Sequence, residues 1–326
     1  MTAAALSSLA SRLSLGAPQP FRTLVVVPLI DAATGPSGLL TLEEALARGA
    51  AEVTEVSEAG TVPQLRLLNR GAEELFLLDG EELAGAKQNR ILNLSLLVPG
   101  RTSLEIPVSC VEQGRWGRRG NRDGFAGTER VAFAKLRRRN AEAVTVSLES
   151  GGRRLGDQGA VWDSIAEKSA RMSVHSDTGA AAALYEGHRE ALDGFVAGIA
   201  SVPGQVGAAF VVNGRLAGLD LLAGPDLLAR LLPKLVRSYA LDALDEETAG
   251  EPSRGPTTGL AGTAGMTAIQ AAVRSALERA AGLSATRHQA IGRGQDLRLS
   301  GEGLVGAALI ADGALVHLGL WASAYQ

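Results

Sequence analysis

The sequence predicts an α+β protein: a β-rich N-terminal lobe (a barrel or sandwich of short, mainly antiparallel strands), a helical middle, and a C-terminal part of hairpins and helices. Three observations predict it. Between Phe21 and Glu112 short apolar runs recur, each bounded by Gly, Pro or Asn. Beyond Thr128 apolar residues fall at three- and four-residue spacings. Further on, Asn213-Gly214 and Asp312-Gly313 interrupt alternating apolar stretches, the strongest short hairpin signal.

The elements follow in order. Residues 1–20, rich in Ala, Ser and Leu and ending in two close prolines, read as a flexible tail outside the fold. The β-rich lobe, 21–112, contains "FRTLVVVPLID", a short helix at "LTLEEALARG", then "AEVTEVSE", "QLRLLN", "ELFLLDG", "NRILNLSLLVP" and "SLEIPVSCVE". Residues 113–127, "QGRWGRRGNRDGFAG", form a Gly/Arg-rich loop. The helical and α+β part, 128–326, opens with helices over "TERVAFAKLRRRNAEAVTVSLES", "GAVWDSIAEKSARMSV" and "GAAAALYEGHREALDGFVAGIAS", and is expected to pack with the first lobe as one compact unit. A helix runs from about Pro225 to Leu244 and another covers "TAIQAAVRSALERAAG". Between them residues 245–262, polar and Pro/Gly-rich, read as an exposed linker.

Composition narrows the function classes. The chain has 326 residues, 46% hydrophobic and 21% charged, with a formal net charge of -3, enough to bury a sizeable core. A single cysteine, Cys110, leaves no intramolecular disulfide and no multi-cysteine metal site, which points to a reducing, cytoplasmic setting. No apolar run reaches the roughly 18 to 20 residues of a membrane helix, so no membrane partner is expected. No phosphate loop ending in Gly-Lys-Ser/Thr, HExxH or GxSxG signature is present. The sequence names no cofactor, and its four histidines lack the i, i+4 pairing of a helical metal site.

Charge is concentrated in one place. Between Arg115 and Arg139 lie nine basic residues against two acidic ones, a local net of +7 in a chain of net -3. Arginines on a glycine-rich loop grip phosphates through guanidinium forks and backbone amides, while Trp116 and Phe125 offer faces on which a base stacks. Three readings fit: a solvated basic face docked on an acidic neighbour, a small phosphorylated ligand, or nucleic acid. Cys110 shares a strand face with Leu104, Ile106 and Val108 and reads as a core thiol. Asp157 and Gln158 precede a helix beginning near Ala160. Asp157 reads as its cap, or the helix start and Gln158 face the same ligand as the arginine loop.

The stretches "LLDGEELAGAKQNRILN", "IPVSCVEQGRW" and "GDQGAVWDSIAEK" resemble a bacterial family of unknown biochemical activity, the ADP-ribosylglycohydrolase and rhodanese-phosphatase-superfamily associated proteins, named from gene neighbourhoods. The likeness runs from about Phe21 to Trp321. Matching positions are Asp79, Gly80, Glu81, Glu82, Gln88, Asn89, Arg90, Asn93, Glu112, Gln113, Gly114, Arg115, Trp116, Asp157, Gln158 and Trp162. The resemblance implies a cytoplasmic role near ADP-ribose or NAD-derived metabolism and carries over no catalytic residue.

Two functions follow as expectations. The first is a ligand-binding or hydrolytic protein acting on a phosphorylated nucleoside-like ligand. Glu81, Glu82 or Glu112 would act as general base, with Asp79, Gln88, Asn89, Arg90, Gln113, Arg115, Trp116, Arg118, Arg119, Asp157 and Gln158 as ligand contacts. The second is a non-catalytic interaction module whose basic loop docks an acidic protein or nucleic acid. Strand parity adds a geometric expectation. The short "PGRT" turn makes an antiparallel hairpin that sets Leu96 opposite Ile106 and Arg90 opposite Glu112, at the rim of a pocket.

Overall fold

The computed structural model describes residues 10–57, 62–117, 124–248 and 263–323. It is an α+β fold of mainly antiparallel sheets, in two compact units. One, here the terminal unit, comprises Met1–Gly38, Glu190–His288 and Gln295–Gln326; the other, the middle unit, comprises Leu39–Arg189 and Gln289–Gly294. These borders do not follow the expected cuts at residues 20, 112 and 127.

The terminal unit opens with β1 (Ser14–Leu15), β2 (Gln19–Phe21) and β3 (Leu24–Ile30); β1 and β2 both pair antiparallel with β3. Ser14–Leu15 and Gln19–Phe21 are therefore strands of the fold and no tail outside it. The polar Ser and Gln positions and the prolines hide this in the sequence, since two- and three-residue strands carry no readable period.

The middle unit contains β4 (Leu40–Thr41), α1 (Leu42–Ala47), β5 (Ala51–Glu55), β6 (Gln64–Asn69), β7 (Leu75–Leu77), β8 (Glu81–Gly85), β9 (Arg90–Leu92), β10 (Leu96–Val98), β11 (Thr102–Cys110) and β12 (Phe125–Val131). Thr41 caps α1 through a capping box with Glu44. One sheet runs β12-β8-β9-β11-β6-β5; a smaller one runs β10-β7-β4, with β4 parallel to β7. Leu65, Leu67, Leu83, Leu92, Ile106 and Val108 fill the core of this unit. Then come α2 (Ala134–Gly151), α3 (Gln158–Arg171) and α4 (Ala182–Gly187). Two expectations change here: "TERV" belongs to a strand, because Gly127 and Val131 pair with Leu83 and Glu81, and the polar "EELAG" is itself a strand.

The chain returns to the terminal unit through α5 (Arg189–Gly198), β13 (Gln205–Val212), β14 (Arg215–Leu222), α6 (Pro225–Thr248), α7 (Thr263–Ala280), β15 (Ser284–Gln289), β16 (Gln295–Gly301), β17 (Leu304–Ala311) and β18 (Ala314–Ala322). They extend the sheet in the order β1-β3-β13-β14-β18-β17-β16-β15. Asn213-Gly214 and Asp312-Gly313 turn β13 into β14 and β17 into β18 with positive φ at both central residues (48° and 74°, 50° and 79°), as two-residue hairpins require. Both faces are covered: Val25, Val27 and Leu29 pack with Ile269, Val273 and Leu277 of α7, while Phe210 stacks on Tyr239 of α6 at 3.9 Å and 5°. Residues 245–248 of the expected linker continue α6, with Asp245 and Glu246 buried; residues 249–262 lie outside the described residues.

Candidate functional site

The polar motif between two apolar runs becomes a buried hydrogen-bonded network of the middle unit. Asp79 receives a two-pronged grip from Arg137 of α2: Nε donates to Oδ2 at 3.0 Å and Nη2 to Oδ1 at 2.9 Å. Gly80 makes this possible. Its φ is +76°, and a Cβ there would stand 2.8 Å from Arg137 Cγ. The next residue, Glu81, is buried and accepts from the Leu78 N–H at 3.4 Å, closing the turn into β8.

Glu82 of β8 meets Asn89, the residue before β9. Glu82 is ion-paired with Arg130 of β12 and accepts from Asn89 Nδ2 at 3.1 Å and Thr128 Oγ1 at 3.2 Å. Arg115 donates from Nη2 to Asn89 Oδ1 at 3.1 Å and lies 2.7 Å from Glu112 Oε2. Its Nη1 donates to the carbonyls of Ala86 and Gly117 at 2.8 and 2.9 Å. Glu112, fully buried, also accepts from Thr178 Oγ1 at 2.9 Å and the Asn89 N–H at 3.3 Å. Burial alone would raise its pKa, but Arg115, Thr178 and the Asn89 amide outweigh it and hold the carboxyl below its ordinary value. Gly114 donates to the Thr178 carbonyl at 2.8 Å, an approach at which a Cβ would meet Thr178 Cα at 3.0 Å.

The expected register is corrected by two residues. β9 pairs with β11 so that Arg90 faces Cys110, Ile91 faces Ser109 and Leu92 faces Val108, while β10 leaves to pair with β7. Asn93 diverts the chain: its N–H donates to the Pro107 carbonyl at 3.1 Å, Nδ2 donates to the Arg154 carbonyl at 3.1 Å, and Oδ1 accepts from Ser109 Oγ at 2.7 Å. Arg90 and Glu112 are consequently not an ion pair; Glu112 belongs to Arg115. Arg90 Nη1 donates to Gln88 Oε1 at 2.7 Å, which also receives the Cys110 thiol at 2.8 Å, and Gln88 Nε2 donates to the Glu112 carbonyl at 2.9 Å. Burial pushes the Cys110 thiol up despite the nearby Glu112 backbone and Arg90 charge, so it stays a protonated core thiol.

Among the described residues no strand lies beside the outer edge of β11 at Cys110, where Gln158 bonds the backbone: the Cys110 N–H donates to Gln158 Oε1 at 2.7 Å and Gln158 Nε2 returns a bond to the Cys110 carbonyl at 2.8 Å. Asp157 caps α3, accepting from the Ala160 N–H at 3.0 Å. Trp116 is 53% exposed, with Lys87 Nζ 5.4 Å and Arg90 Cζ 5.8 Å from its ring centre. Gln113 is exposed, and Arg118 and Arg119 lie outside the described residues.

A cavity of about 660 Å³ opens beside this network, lined among others by Asn89, Arg115, Arg130, Phe125, Glu52 and Glu186. Of the expected site residues, Asn89 and Arg115 line it. Glu81, Glu82 and Glu112 do not, and Arg90, Gln88 and Cys110 cluster beside Trp116 instead.

The sequence reading missed a second polar cluster, inside the terminal unit. Asp220 of β14 and His317 of β18, both buried, approach at 3.2 Å, and Tyr239 Oη reaches the other Asp220 oxygen at 3.3 Å. On β16, separated from β18 by β17, Arg298 Nη2 donates to Asp296 Oδ2 at 2.8 Å, again buried. The available signal was a single ionisable residue inside an otherwise apolar strand, as in "LAGLDLL" and "ALVHLGLWA". No described helix is long and apolar enough to cross a membrane.

No curated protein and no solved structure matches the chain. A family model described as the ARG and Rhodanese-Phosphatase-superfamily-associated Protein domain matches residues 12–321, which takes in both units and every element that builds the network. The chain belongs to the ARG and Rhodanese-Phosphatase-superfamily-associated Protein family.

Proposed function

We propose that the chain works in the cytoplasm by binding a small phosphorylated nucleoside-like ligand in the cavity bordered by Asn89, Arg115 and Arg130. The observation that carries this reading is the cavity itself, whose volume of about 660 Å³ lies within the range of small-molecule sites and which opens where the polar motif ends. Two guanidinium groups and two carboxylates line it, so a net positive field does not drive binding. Directed bonds do: the arginines suit phosphate oxygens, Glu52 and Glu186 suit sugar hydroxyls, and Phe125 supplies an apolar surface. Arg115 Nε is buried and has no partner among the described residues. Binding is favoured over hydrolysis, because Glu81, Glu82 and Glu112 are buried and do not line the cavity, and Glu112 is held ionised by its partners.

The test is a thermal-shift screen of ADP-ribose, NAD, AMP, ribose 5-phosphate and divalent metals. A ligand at about 100 times its dissociation constant stabilises the fold by about 2.7 kcal/mol. Ala126→Trp, which fills the cavity from an exposed lining position, should abolish the shift. No shift with any nucleotide, together with salt-sensitive oligonucleotide binding, would instead support an interaction module.

A further inference from the structure

Arg90 is a buried charge with few partners. Its side chain is completely buried (0% exposed), yet among the described residues it has no carboxylate partner. Its one hydrogen bond there runs from Nη1 to Gln88 Oε1, while Nε and Nη2 have no partner. The groups around it do not neutralise it: Gln88 is neutral, the Cys110 thiol stays protonated because burial raises its pKa, and the Glu112 carboxylate is held by Arg115, Thr178 and the Asn89 amide. An isolated buried cation with two unpartnered nitrogens is costly, and contact with an indole offsets only part of that cost.

Arg137 shows what the same atoms do when satisfied. Its Nε and Nη2 form a side-on fork closed by the two oxygens of Asp79, at 3.0 and 2.9 Å. In Arg90 the same two nitrogens are buried and have no partner among the described residues. The guanidinium lies against Trp116, which is 53% exposed, and Lys87 places a second positive charge over that ring.

We infer that Arg90 is an anion-binding subsite, which takes a phosphate or carboxylate group of a small molecule on its Nε–Nη2 edge beside the Trp116 ring. Arg90 does not line the cavity of the preceding section, so this subsite goes beyond that reading and stands or falls separately. A planar two-oxygen acceptor matches the fork, and exclusion of water strengthens the bonds.

The test titrates the full chain with inorganic phosphate, with acetate, and with chloride at matched ionic strength, reading melting temperature and tryptophan emission. Phosphate or acetate should raise the melting temperature saturably and change the emission, while chloride does neither. Which of the two acts identifies the ligand's anionic group. Arg90→Lys, which keeps the charge and loses the fork, should weaken the response at least tenfold, whereas Ala126→Trp should leave it intact. Arg90→Met should melt no lower than the wild type without added anion and should not respond to phosphate. The inference is overturned if the wild type responds to neither anion beyond chloride, if Arg90→Lys titrates like wild type, if Ala126→Trp removes the response, or if Arg90→Met melts well below wild type.

Discussion

Glu112→Gln probes the network at its most constrained carboxylate. Glu112 is fully buried and accepts three hydrogen bonds, from Arg115 Nη2 at 2.7 Å, Thr178 Oγ1 at 2.9 Å and the Asn89 N–H at 3.3 Å. Glutamine keeps the shape. Its carbonyl oxygen can retain the Arg115 and Asn89 contacts and its amide can donate to Thr178, so the main loss is charge. That leaves Arg115 buried without a counter-ion, a change that costs about 3 to 5 kcal/mol. Because Arg115 keeps bonds to the Ala86 and Gly117 carbonyls and to Asn89, the expected loss is about 3 kcal/mol, the lower end of that range. Urea denaturation followed by tryptophan emission measures it, since Trp116 and Trp162 both lie in the middle unit. The pH dependence supplies a second check. Glu112 has a folded-state pKa below its ordinary value of 4.5, so its contribution is fully present above about pH 4.5 and fades as pH falls through the folded value. The variant should therefore lose less stability than the wild type over that acidic window. A cost under about 1 kcal/mol, the range of exposed pairs, together with an unchanged acid profile, would refute the reasoning.

Three further substitutions test other parts of the structure. Gly80→Ala should destabilise by about 2 kcal/mol or more, because a Cβ at φ +76° is strained and meets Arg137 Cγ at 2.8 Å; urea midpoints read it, and a neutral result would show that the Arg137 grip on Asp79 has slack. Gln158→Ala should cost about 2 kcal/mol for two lost bonds to the Cys110 backbone, against about 1 kcal/mol for removing the Asp157 cap by Asp157→Ala; equal losses would contradict the role of Gln158 as a strand substitute. In the terminal unit, Phe210→Ala should cost about 3 to 5 kcal/mol, since the ring is fully buried and stacked on Tyr239; calorimetry would detect it, and a loss below about 1 kcal/mol would mean that the site collapses around the void.

Local rules were legible in the sequence because they act over a few residues. The Asn-Gly and Asp-Gly turns, the α1 capping box around Thr41 and Glu44, the Asp157 cap and the apolar period of α6 each fix a conformation without reference to the rest of the chain. The polar positions of the network were legible too, as hydrophilic residues stranded between buried runs. Alternation also placed Arg90 and Cys110 on one strand face, as they are.

What alternation cannot choose is the register. A slip of two residues keeps every side chain on its face, so Arg90 opposite Glu112 and Arg90 opposite Cys110 satisfy the same apolar pattern. The choice fell to Asn93, whose bonds to Pro107, Arg154 and Ser109 divert the chain and send β10 to β7. Partners near and far in the chain decide the rest. Glu112 took Arg115 three residues on, Asp79 took Arg137 of a helix 58 residues away, and Arg90 was left buried with two nitrogens unpartnered among the described residues. The Asp220–His317 contact joins residues 97 positions apart. Composition and periodicity thus determined the α+β class, the turns and the face of each strand residue, since these are set by neighbours in the chain. Only the tertiary structure decided which charges pair, because pairs such as Asp79–Arg137 and Glu82–Arg130 join distant segments and depend on how all the intervening elements pack.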